Sequence, residues 1–106
     1  MGKKLDILFS EWVEKARKNP VEGHRAHLGN GATLLYFPAS AKLEIWRDGE
    51  MPRLGQHSYG AWIQECSVFE RYATDAGLTL SNRRMQAGDG KYCARWDAVL
   101  IMRRAI

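Results

Sequence analysis

The sequence predicts an α+β fold in the order α-β-β-α-β-β, an antiparallel four-stranded sheet with two helices packed on one face. Three observations predict it: two stretches with a helical apolar stripe, strand-like alternation of period two after each, and turn residues clustered between them. At 106 residues the chain is the size of one domain, spanning 1–106. Such a chain buries roughly two-thirds of its unfolded surface, enough for one core.

The first helix is expected from about Lys4 to Lys18. Leu5, Leu8, Phe9, Trp12, Val13 and Ala16 fall at the i, i+3, i+4, i+7 spacing of one buried stripe. Glu11 with Lys15 and Glu14 with Lys18 are favourable i,i+4 pairs on the other side. Basic residues in the last turn suit the negative end of the helix, and Asn19-Pro20 stops it. Val21 to Gly31, with Gly23, Gly29, Asn30 and Gly31, then reads as a loop.

Ala32 to Phe37 is expected to be a strand, Pro38 to Ala41 a turn, and Lys42 to Arg47 a second strand. Leu43 and Ile45 alternate with Lys42 and Glu44, as in a strand with one buried face. Asp48-Gly49 closes that strand, and Glu50 to His57, with Pro52 and Gly55, reads as a surface loop. A second helix is expected from an Ser58 cap to about Ala76, its stripe formed by Tyr59, Trp62, Ile63, Cys66, Phe69 and Ala73. Gly77 ends it in the left-handed conformation.

The remainder reads as a hairpin: Leu78 to Gln86, a turn at Ala87-Gly88-Asp89-Gly90, and a long strand from Lys91 to about Arg103. Tyr92, Ala94, Trp96, Ala98, Leu100 and Met102 share one face of that last strand. Val99 and Ile101 make its other face apolar too near the end, which places the strand inside the sheet. A shift of fifty residues aligns Trp12 with Trp62 and Trp46 with Trp96, but the apolar phase of the strands differs, so no repeat follows. An edge at Ala32–Phe37 leaves room for a homodimer by strand pairing.

No apolar run approaches the ~20 residues of a membrane span, so no membrane role is expected. The basic start runs into Asp6, Ser10, Glu11 and Glu14 without an apolar signal core, and Asp6 stands where a myristoylation motif wants Ser or Thr. The expectation is an unprocessed, cytoplasmic chain in which Cys66 and Cys93 are reduced and buried.

Candidate chemistry is sparse. His24 and His27 are spaced H-x-x-H, but in a Gly-rich loop and without the paired cysteines of a zinc site. Cys66 falls mid-helix on the core stripe, where a thiolate is costly, and no signature marks Cys93 as a nucleophile. Nothing fixes a distance between any two carboxylates, and the Gly-Asp-Gly and Gly-Asn-Gly segments lack the remaining residues of a phosphate loop. No catalytic residue, metal site or cofactor is therefore assigned.

Two binding surfaces compete. Trp46 lies out of phase with Leu43 and Ile45, so its ring is expected on the outer sheet face. With Arg47, Asp48, Glu50, Met51 and Arg53 it forms a mix of aromatic, Met and Arg that interfaces favour. The bland alternative is a Trp46 half covered by its own neighbours. The net charge of +4 is concentrated at the C-terminal third, where Arg83, Arg84, Lys91, Arg95, Arg103 and Arg104 face only Asp89 and Asp97. Interleaved with Tyr92 and Trp96, these cations form a candidate nucleic-acid surface. The leading expectation is a small non-enzymatic protein that occupies a surface of a larger protein or ribonucleoprotein. Phage and mobile-element inhibitors of host systems, anti-CRISPR proteins included, are chains of this kind. Nucleic-acid binding by the C-terminal hairpin is the alternative.

Overall fold

The computed structural model describes residues 5–28 and 31–101, with side chains in the first helix from Ile7 onward. Two helices, α1 (Leu5–Lys18) and α2 (His57–Asp75), accompany five strands: β1 (His24–His27), β2 (Thr33–Phe37), β3 (Lys42–Asp48), β4 (Leu78–Gly88) and β5 (Lys91–Leu100). All neighbours are antiparallel, in the order β1-β2-β3-β5-β4. The α+β class stands, but the sheet has five strands rather than four, and the element order is α-β-β-β-α-β-β.

The additional strand lies inside the segment expected to be a loop. His24-Arg25-Ala26-His27 contains no β-branched residue, so local propensity gives no strand signal. Its pairing is tertiary: it lies along β2, with Ala26 opposite Leu34 and packed against the core. Consequently β2 is not an edge, and a dimer through Ala32–Phe37 is excluded by β1 itself. The edges are β1 and β4. The long β4 is broken by a register shift between Ser81 and Arg84, with Asn82 in the left-handed conformation at φ 57°. Such a bulge bends an edge strand away from regular pairing.

Register divides the sheet into two faces. Leu34 and Tyr36, Leu43 and Ile45, and Ala94, Trp96 and Ala98 form one buried layer with Phe9, Trp12, Val13 and Ala16 of α1. Trp62, Cys66, Phe69 and Ala73 of α2 complete it. Phe9 joins the helices, its ring 5.9 Å from Trp12, 6.2 Å from Phe69 and 6.0 Å from Tyr72. Trp96 ties α2 to the sheet, donating from Nε1 to Glu70 at 2.9 Å. Both helices therefore sit on one face.

Local chemistry sets the joints. Asp89 and Gly90 both take positive φ, 54° and 71°, as a two-residue hairpin turn between strands of right-handed twist requires. Strand β4 consequently runs two residues beyond the expected Gln86. Helix α2 starts at His57 after an extended Gln56, not after Ser58: the Gln56 carbonyl accepts the Tyr59 N–H at 3.1 Å, while its side chain turns back to accept the Arg53 N–H at 2.7 Å. At its other end Gly77 has φ 112°, and Arg17 of α1 donates to the Ala76 and Ile101 carbonyls. That guanidinium also pairs with Glu14. No helix among the described residues is long and apolar enough to cross a membrane.

Candidate functional site

The sheet face turned away from the helices carries the second phase of every strand. Arg25 and His27 of β1, Thr33, Leu35 and Phe37 of β2, and Lys42, Glu44, Trp46 and Asp48 of β3 point there. Lys91, Cys93, Arg95, Asp97 and Val99 of β5 join them, with Arg84 and Gln86 of β4. Trp46 is thus on the outer face, as its phase predicts, and half-buried. It stands between Thr33 and Cys93 in the ladder, and its Nε1 donates to Glu44 at 2.8 Å.

Ion pairs cross this face. Asp97 accepts from Lys42 at 2.5 Å and Arg84 at 3.2 Å, with Asn82 at 3.4 Å. Chiefly through Lys42, then Arg84, the Asp97 carboxyl is held down at about 2. Arg95 lies 3.0 Å from Glu44. On the helix side Arg83 pairs with Glu70 at 3.0 Å. The C-terminal hairpin therefore does not present one free basic surface: Arg83 points one way, Arg84 and Arg95 the other, and each has a carboxylate. Lys91 is looser, 4.0 Å from an exposed Asp48. Arg103 and Arg104 lie outside the described residues.

The six residues expected to bind a partner also separate. Trp46 and Asp48 face outward, whereas Arg47 turns to the helix side and pairs with Glu65 at 2.7 Å. Glu50, Met51 and Arg53 line a different hollow of about 410 Å³ in the loop before α2, with Glu50 and Arg53 paired at 3.3 Å. Sequence phase locates Trp46 correctly, but chain proximity does not make its neighbours one patch.

What the structure adds is a cleft of about 430 Å³ on the outer face, with Leu35 and Trp46 between Arg25 and His27 at one side and Asp48 and Lys91 at the other. Sequence reasoning misses Arg25 and His27 at this cleft because the β1 segment reads as loop, and Leu35 because adjacent Leu34 and Leu35 leave the phase of β2 ambiguous. The period-two alternation of Arg25 and His27 against His24 and Ala26 is the signal that could have found them.

The same alternation separates the H-x-x-H pair. His24 faces inward and contacts the Asn19 carbonyl at 2.8 Å, while His27 faces outward beside Thr33 Oγ1 at 3.3 Å. Among the described residues no three His, Cys, Asp or Glu side chains converge. Both thiols are buried. Burial pushes Cys66 up to about 12 against the opposing pull of Arg83, and burial also raises Cys93.

Compared with known proteins, the chain stands apart. No protein-family model, curated protein or solved structure matches it. Its surface chemistry must carry the functional reading.

Proposed function

We propose that this chain is a small non-enzymatic binding protein that occupies a surface of a larger partner, docking through the outer sheet face around Trp46. The observation that supports it most is the location of that indole: a large ring on the face without helices, at a cleft of about 430 Å³. Phe37 and Val99, 37% and 58% exposed, add apolar area to the same face. Aromatic and apolar groups set among polar pairs match the composition of protein interfaces. Cys66, by contrast, is committed to the core, Cys93 is covered although it lies on the outer-face side of β5, and His24 is committed to a backbone contact.

The partner proposed is a host protein or ribonucleoprotein, and the role is that of a phage or mobile-element inhibitor of the anti-CRISPR-like kind acting in the cytoplasm. Small size and a single decorated face are what support this finer reading. Affinity capture from host lysate, with and without nuclease, tests it. A protein partner should persist after nuclease and be lost on Trp46→Ala with the circular dichroism spectrum unchanged. Recovery of nucleic acid with no accompanying protein, or capture unaffected by Trp46→Ala, overturns the proposal.

A further inference from the structure

The cleft beside Trp46 has a charge pattern more specific than its shape. Arg25 is exposed and has no acidic partner among the described residues. Lys91 reaches Asp48 only at 4.0 Å, and both side chains are more than half exposed, at 58% and 87%. His27 lines the same cleft beside Arg25. Between these lie the apolar surfaces of Leu35 and Trp46. Elsewhere on this face cations are consumed by Asp97 and Glu44; here they are available.

From this charge complementarity we infer that the cleft receives a short extended acidic segment of the protein partner, with carboxylates at Arg25 and Lys91 and an uncharged side chain on Leu35 and Trp46. This rests on the docking face proposed above and names its occupant. Strand geometry sets the spacing. Arg25 on β1 and Lys91 on β5 are three strands apart across the sheet and about four residues apart along it, roughly 19 Å between backbones. Both side chains line the cleft between these two points, so the two carboxylates belong about four to six extended residues apart.

A nucleic-acid strand fits less well. Glu44 holds a carboxylate at the indole Nε1 and Asp48 stands at the rim, so a backbone carrying one charge per nucleotide would pass both. A peptide places its charges only where the cations are.

The test is selection of a random dodecapeptide display library on the immobilised full chain. Enriched peptides should carry two Asp or Glu residues flanking an apolar residue, and binding should fall about tenfold on Arg25→Glu/Lys91→Glu. The milder Arg25→Ala/Lys91→Ala should lie between, and dichroism verifies that each variant folds. Neutral peptides that need Trp46 but neither cation overturn the acidic occupant and leave the docking face standing. Peptides that bind Trp46→Ala as well as the parent overturn both. No enrichment, or a fluorescent deoxythymidine dodecamer that binds more tightly than the best peptide and competes with it, also overturns the inference.

Discussion

Trp46 and Trp96 sit on neighbouring strands of the same ladder but on opposite faces, so deleting each indole should have unequal consequences. Trp96 is 1% exposed, stands opposite Leu43, and donates to Glu70, whose other oxygen accepts from Arg83. Trp96→Ala removes a large buried ring and leaves a cavity between sheet and α2, at a cost of about 3–5 kcal/mol. Trp46 is half-buried on a face open to water. Solvent fills the space it vacates, so no cavity term applies. Losing roughly half of an indole's burial, on the order of 80 Å² at about 25 cal/mol per Å², costs about 2 kcal/mol. Urea unfolding followed by far-ultraviolet dichroism reads both. At an m-value of about 1.5 kcal/mol/M, a loss of about 4 kcal/mol moves the midpoint by roughly 2.5 M, about twice the shift for Trp46→Ala. Against a total stability of roughly 5–15 kcal/mol, Trp96→Ala should be marginal at room temperature. Equal losses, or a larger one at Trp46, would refute the assignment of the two faces.

Other outcomes follow from single contacts. The Asp97 carboxyl is depressed to about 2 by Lys42 and Arg84, so its stabilising contribution is present above the ordinary carboxylate range near pH 4 and lost as pH falls through about 2. The parent's stability advantage over Asp97→Asn should therefore vanish across that window, and a pH-independent difference in urea midpoints would contradict the pairing. Gly77→Ala places a Cβ at φ 112° and into the Arg17 guanidinium, which should cost about 1–3 kcal/mol and lower the melting temperature by at least about 5 °C. An unchanged or higher melting temperature would show that Ala fits there. Because burial keeps both thiols protonated, Ellman's reagent at pH 8 should label Cys66 and Cys93 only on unfolding. Rapid labelling of the folded chain would place a thiol at the surface.

Much of the fold was legible because apolar periodicity and core burial record the same physics. Phe9, Trp12, Val13 and Ala16 repeat at helical spacing and are buried, as are Trp62, Cys66, Phe69 and Ala73. The even positions of β5 face the helices, and its interior place in the sheet matches its two-sided apolar end. Strand β1 was not legible because His24-Arg25-Ala26-His27 owes its conformation to β2, a partner several residues away. The site shows the same division. The phase of one strand places Trp46 outward, but Arg25 and Lys91 come near it only through a sheet order that joins β1 to β5 across two intervening strands. Nor does residue type tell whether a cation is free. Arg84 and Arg95 look like Arg25 in sequence and differ only in the carboxylates that the ladder sets beside them.

Site-specific photocrosslinking puts the docking face to the most direct trial. A benzophenone amino acid replaces Leu35 on the outer face in one protein and exposed Gln64 on α2 in another, and each is irradiated in host lysate. The partner should be trapped from position 35 and not from position 64. An adduct formed only through the helix would mean that the partner sits on the opposite side of the sheet from Trp46.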